Sequence, residues 1–172
     1  RDEKMVRVVV TGMGAVTPIG NNLEEMWQSI RDERHGIAAA TRVNPDDYRT
    51  SLAAEVKNFD PEAVMDRREA KRMDLFAQYA VAAADEAFKM SGFEIDEDNE
   101  FDVGVIVGSG SGGYVSMEDN VIRLNEKGPN KVEPLFHIKT PVNMAAAGIA
   151  MRFGMKGDSM SISSACASGS HS

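Results

Sequence analysis

Three short strand-like segments, each leading toward a helical stretch through small residues, fix the class of fold open to this chain. They are Val6 to Thr11, Asp102 to Val107 and Asp158 to Ser164. The first two are rich in valine and isoleucine, as in strands buried on both faces; the third places Met160 and Ile162 on one face. Strands that alternate with helices form an α/β fold with a mainly parallel sheet, because parallel neighbours need a crossover connection.

The intervening segments carry helix signals. One helix starts at Asn21 or Asn22, with Glu24 and Glu25 placed for a capping box. Leu23, Met26, Trp27 and Ile30 give it a single apolar stripe, and it fades at His35-Gly36. Residues 37–59 read as irregular with short strand pieces. Asp60-Pro61 is a cap followed by proline at the first helical position. Asp66-x-x-Glu69 opens a long helix with Met73, Phe76, Ala80, Ala83 and Ala87 as its buried stripe, closed by Ser91-Gly92. Met117, Val121 and Leu124 mark another helix, ended by Gly128-Pro129. An Ala-rich helix runs from Thr140-Pro141 to near Phe153.

A chain of 172 residues supports one domain with a substantial core. Its net charge of −8, from 19 basic and 27 acidic residues, argues against broad nucleic-acid binding. No apolar run is long enough to cross a bilayer, and Arg1 to Met5 lack the apolar centre of a secretory signal, so neither membrane nor export is expected. A single cysteine excludes an intrachain disulfide and any multi-cysteine metal site. His35, His137 and His171 lack ligand spacing, so no metal and no cofactor is expected. A reducing cytoplasm fits this composition.

Four features bear on chemistry. Gly12, Gly14 and Gly20 do not make a dinucleotide fingerprint: Thr17 stands at the third glycine position and the helix opens later. Gly108 to Gly113 lacks the lysine of a phosphate loop; it reads either as a flexible turn or as backbone that approaches a ligand or another chain closely. Cys166 sits between a strand and a helix expected to begin there, among Ala, Ser and Gly. A lone cysteine is commonly a small buried hydrophobe. Small neighbours also permit a tight turn that holds a nucleophile out, and a helix N-terminus favours thiolate. No base stands at a telling spacing; His171 and His137 are both weak partners. Finally, Arg67, Arg68, Lys71 and Arg72 crowd the first turns of the long helix, the unfavourable end for cations by about 0.3–1 kcal/mol each. They read either as a solvated face interleaved with Asp66 and Glu69 or as a dock for an acidic partner.

The ordered motifs carry a resemblance. Val8-Val9-Val10-Thr11-Gly12-Met13-Gly14-Ala15-Val16-Thr17-Pro18-Ile19-Gly20-Asn21 resembles the opening of β-ketoacyl-[acyl-carrier-protein] synthases. Asp66-Arg67-Arg68-Glu69-Ala70-Lys71-Arg72-Met73-Asp74 resembles their synthase II branch. Val107-Gly108-Ser109-Gly110, Pro141-Val142-Asn143-Met144 and Ser161-Ile162-Ser163-Ser164-Ala165-Cys166-Ala167-Ser168-Gly169 follow in order, the run at Ser163 to Cys166 being nearer the synthase I branch. The resemblance runs from Met5 to Ser172 and covers the N-terminal part of such a protein.

The resemblance implies a thiolase-like layered α-β-α-β-α sandwich, of which residues 1–172 form the N-terminal half-domain, stopping just after the nucleophile turn. It implies that Cys166 takes an acyl group from acyl-carrier protein and that a decarboxylated malonyl unit then attacks it. The Cys166 N–H would be one oxyanion donor; two histidines, a lysine and the second donor would lie in the absent C-terminal half, so the chain alone is expected to be inactive. Gly110, Ser111 and Gly112 would line the acyl pocket near a homodimer interface. Ser111 stands where synthase II enzymes often carry a bulky aliphatic residue, which leaves acyl length open. Arg68, Lys71 and Arg72, with adjoining Arg67 and with Lys131, would dock the carrier. Rival readings are an aromatic polyketide ketosynthase, a non-catalytic carrier-binding fragment, and a cysteine hydrolase using His137 or His171. The cysteine itself speaks against the non-catalytic chain-length partners of polyketide synthases.

Overall fold

The computed structural model describes residues 6–172; the expectation at Arg1 to Met5 lies outside the described residues. Helix α1 spans Leu23–Arg31 because Asn22 caps it. The Asn22 side chain accepts the Glu25 N–H at 2.8 Å, and the Glu25 carboxylate accepts the Asn21 N–H at 2.9 Å. Its apolar stripe is only partly used: Trp27 and Ile30 stay exposed. The residue α1 buries is Ser29, whose hydroxyl donates to Ile19 O at 2.7 Å. Two short strands follow, β1 (Ala38–Ala39) and β2 (Leu52–Ala53), paired antiparallel.

The long helix expected from Asp66 is two helices. Asp66 caps α2 (Arg67–Lys71) by accepting the Arg68 and Glu69 N–H groups at 2.7 and 2.9 Å. Asp74 then caps α3 (Leu75–Ser91), accepting the Phe76 N–H at 3.2 Å. A short carboxylate competes for backbone N–H groups, so Asp74 ends one helical path and starts another. Gly92, at φ 62°, closes α3.

Helix α3 is enclosed on more than one side. Ala77, Val81, Ala82 and Asp85 are its buried residues, whereas Ala83 and Ala87 of the expected stripe meet the segment after Val10. A Cβ on Gly12 would lie 2.0 Å from Ala87 O, and one on Gly14 2.0 Å from Ala83 O. Two residues of extended chain advance roughly 6–7 Å, and four residues of helix about 6 Å. The segment therefore runs antiparallel along α3, backbone against backbone, and glycine is required at both contacts. The Glu86 carboxylate fastens it, accepting the Ala15 N–H at 2.9 Å and the Leu23 N–H at 2.9 Å.

Strand β3 (Val105–Gly108) leads through α4 (Tyr114–Lys127), α5 (Phe136–Lys139) and α6 (Met144–Phe153) to β4 (Ser159–Ile162) and a final turn of helix, α7 (Ser168–His171). Strands β3 and β4 pair in parallel, from Val105 opposite Ser159 to Gly108 opposite Ile162. Helix α6 starts at Met144 rather than Thr140-Pro141, since α5 occupies the preceding residues. The core gathers where α6 packs between α3 and the strands, around Val81, Ala145, Ala146 and Ile149.

This is a mixed α/β fold with a parallel strand pair, as the sequence implies. The expected first strand is a correction. Val6 to Thr11 joins no ladder, and Val8 is 94% exposed. A valine run of that kind is satisfied only between sheet neighbours with cover on both faces, and the described residues supply neither.

Candidate functional site

Cys166 lies in a tight turn between β4 and α7. The Ala167 N–H donates to Ser164 O at 3.2 Å, closing a β-turn in which Ala165 and Cys166 are the central residues. Cys166 is exposed. Ala165 adopts φ 51°, the left-handed region, where a side chain costs about 1–2 kcal/mol. Ser168, buried, spans that residue: its hydroxyl donates to Ala165 O at 2.7 Å and accepts the Ser164 N–H at 2.9 Å. The helix expected from Cys166 begins two residues later, at Ser168. Small residues permit this turn, as the sequence implies, although the strained position belongs to Ala165.

Neither histidine serves Cys166 among the described residues. His171 Nδ1 is 2.8 Å from Ser164 Oγ, and His137 is exposed on α5. The hydrolase reading lacks its base here.

The glycine-rich loop after β3 supports the turn from below. A Cβ on Gly108 would lie 2.2 Å from Ser168 O, and one on Gly110 3.3 Å from Ala165 O. Close backbone approach, rather than mere flexibility, explains these two glycines. Gly112, at φ 73°, packs on Thr140 O, and Gly113 on Lys139 O. Gly110 is exposed beside the Cys166 turn and Ser111 after it is exposed, while Gly112 turns away to the segment before α6. Asp74 anchors the far end of the loop. Buried at the start of α3, its second oxygen accepts the Ser116 N–H at 2.6 Å in the first turn of α4. The sequence reading passes over Asp74; its one signal is a cap-type residue just before Leu75, and the continuous apolar spacing around it conceals the break.

The basic cluster sits on α2 and its C-terminal cap. Because α2 ends at Lys71, Arg68 and Lys71 occupy its last turn and Arg72 its C-cap. The adverse placement expected for one long helix therefore does not arise for Lys71 and Arg72, while Arg67 and Arg68 remain the first two residues of α2. The interleaved acids are both engaged, although they line the same groove as Arg68 and Arg72. Hydrogen bonds from the Glu69 and Arg68 N–H groups hold the Asp66 carboxyl below the usual range. Glu69 turns inward to Arg152 of α6 at 2.9 Å. Arg67 approaches Glu62 at 3.9 Å; among the described residues Arg68, Lys71 and Arg72 enter no ion pair. A groove of about 740 Å³ opens beside them, its lining including Arg68, Arg72, Met73, Met144 and Met151. Lys131 is exposed on a separate turn, Pro129–Lys131, which packs on α4.

Among the described residues no helix is long and apolar enough to cross a membrane, and no group of three or more His, Cys, Asp or Glu side chains could hold a metal ion.

Residues 5–172 match the family described as "Beta-ketoacyl synthase, N-terminal domain". The chain is 39% identical over 165 residues to the 3-oxoacyl-[acyl-carrier-protein] synthase 2 of Coxiella burnetii, covering 96% of this chain and 40% of that one. It is 41% identical to the enzyme of the same name from Vibrio cholerae, with the same coverage. Among solved structures, a β-ketoacyl synthase from Burkholderia phymatum superposes with a TM-score of 0.75 at 30% identity, over 97% of this chain and 41% of that one. The ishigamide ketosynthase/chain length factor superposes with a TM-score of 0.77 at 25% identity, over 90% and 39%. The chain thus spans about two-fifths of the length of the curated relatives it matches.

Proposed function

The chain belongs to the β-ketoacyl synthase family through that family's N-terminal domain, and we propose from this premise that it is the nucleophile-bearing part of a fatty-acid condensing enzyme. The observation that carries this reading is Cys166, exposed on a turn whose left-handed residue is clamped from below and whose floor is glycine. Such a turn presents a side chain outward and leaves room for a thioester beside it.

In the reaction proposed, the Cys166 thiolate attacks the carbonyl of an acyl thioester on acyl-carrier protein. The bond to the carrier sulfur breaks, and the carrier leaves as its thiol after taking a proton. A malonyl group on a second carrier then loses CO₂, and its electron pair forms an enolate. The enolate carbon attacks the Cys166 thioester, a carbon–carbon bond forms, and the Cys166 sulfur departs as thiolate. The Cys166 N–H contributes one oxyanion donor; the groups that assist decarboxylation belong to residues beyond these 172. The isolated chain is accordingly inactive on this reading. Within the same reading, residues 1–172 are half of a thiolase-like layered sandwich, the other half packs against them, and the enzyme is a cytoplasmic homodimer. Gly110 and Ser111 line the acyl path, and Gly112 holds their loop against the segment before α6.

The acidic carrier docks on Arg67, Arg68, Lys71 and Arg72, with Lys131 as an outlying contact. Cations whose neighbouring acids are already engaged favour an acidic partner. A second reading, a polyketide ketosynthase, is supported by the likeness to the ketosynthase/chain length factor. The higher identity to the synthase 2 relatives weighs toward fatty-acid synthesis.

The test is covalent labelling. A cerulenin-like epoxide should modify Cys166 in the full-length protein near neutral pH, located by peptide mass. A folded protein left unlabelled would exclude the nucleophile role.

A further inference from the structure

Ser168 does more than fill space beneath the cysteine turn. Its hydroxyl bridges both sides of Ala165, donating to Ala165 O at 2.7 Å and accepting the Ser164 N–H at 2.9 Å. Its own N–H also donates to Ala165 O, at 3.1 Å. Ser168 is 3% exposed, and its carbonyl presses on Gly108 at the end of β3 so closely that a Cβ there would stand 2.2 Å away. The hydroxyl thus links the rigid end of the parallel strand pair to the one central turn residue whose backbone resists its conformation. From the exposed side, Ser164 Oγ meets His171 Nδ1 at 2.8 Å and braces the same turn.

We propose that Ser168 is a positioning residue for the condensation: its hydroxyl holds Ala165 left-handed and thereby fixes where the Cys166 sulfur points. This rests on the reading of Cys166 as the nucleophile. An alanine released from the clamp relaxes toward negative φ, and the cysteine that follows it swings with the peptide plane. Glycine at 165 has no such preference, so the need for the clamp is specific to the alanine.

The experiment uses the full-length enzyme carrying Ser168→Ala, Ala165→Gly, both together, and Cys166→Ala. Acyl transfer from acyl-carrier protein is read as kcat and KM, beside the thermal midpoint. Ser168→Ala should lower kcat roughly tenfold, the factor that about 1.4 kcal/mol of turn strain corresponds to, with KM unchanged. Adding Ala165→Gly should recover most of that loss, which a packing defect at Ser168 would not allow. A kcat in Ser168→Ala within about twofold of the parent, a loss expressed in KM alone, or a loss that Ala165→Gly leaves in place would each overturn the proposal. Should Ser168→Ala fail to fold, Ser168→Cys keeps the volume with a weaker donor and acceptor; it is read alone and with Ala165→Gly by the same criteria. A Cys166→Ala enzyme that still accepts the acyl group defeats the nucleophile reading, and the positioning role falls with it. An inactive Cys166→Ala beside an unaffected Ser168→Ala defeats the positioning role alone.

Discussion

Glu69 and Arg152, 83 residues apart in the chain, meet in a 2.9 Å ion pair that ties the basic helix α2 to the core helix α6. The same guanidinium reaches Asp85 of α3 at 3.4 Å and donates to Val64 O. One side chain therefore sets the position of the helix that carries Arg68 and Lys71.

Replacing Arg152 by methionine should cost roughly 2–4 kcal/mol, because it leaves mostly buried carboxylates with too few partners. Glu69→Gln retains a hydrogen bond to Arg152 and should cost about 1 kcal/mol. Urea unfolding of the full-length enzyme checks both; equal costs would show that the Glu69 charge, rather than the Arg152 hub, governs the site.

Gly14→Ala should be severe. The added methyl meets Ala83 O of α3 at 2.0 Å, backbone against backbone, with no side chain able to move aside. A loss of roughly 3 kcal/mol or more is expected, against a few tenths for an alanine at an exposed loop position. A thermal midpoint unchanged in Gly14→Ala would mean that the segment does not lie along α3.

Reversing Arg68 and Lys71 to glutamate should raise the KM for carrier-bound acyl substrate roughly tenfold at low salt and leave a small acyl thioester nearly unaffected. The difference between variant and parent should shrink as ionic strength rises, since exposed charges are screened. Parallel losses on both substrates would point to disrupted folding instead.

The cap at Asp66 predicts an acid effect. Its carboxyl is held low in the folded state, chiefly by the Glu69 N–H and then by that of Arg68. A group with a depressed folded pKa stabilises above its unfolded value, and that contribution is lost as pH falls through the folded one. Asp66→Asn accepts the same hydrogen bonds without titrating. The parent should therefore be the more stable of the two at neutral pH, and the gap should close below about pH 4. A gap that persists or widens on acidification would contradict the cap.

What could be read from the chain was mostly local. The Asn22 and Asp66 caps, the Gly92 and Gly128-Pro129 stops and the strands around Val105 and Met160 follow from neighbours within a few residues. The split at Asp74 escaped because Met73, Phe76 and Ala80 keep helical spacing across it. The Val6 run was misplaced because its valines specify burial without naming a partner. At the site, Cys166 and the glycine loop were readable as types. The left-handed Ala165 was not, since alanine carries no mark of that backbone, and neither was Ser168, one serine among several. The diversion of Glu69 to Arg152 is a contact across 83 residues that no spacing announces.

The unpaired segment from Val6 to Val10 has a practical meaning for anyone who makes these 172 residues alone. Val8 and Val10 are 94% and 81% exposed, and among the described residues the run joins no strand ladder while carrying β-branched side chains. That is a template for strand pairing between molecules. Self-association of the isolated piece at this one valine-rich edge is then expected as its concentration rises. Dilution, or a partner that covers this edge, should keep the piece in solution longer than any change made to its core.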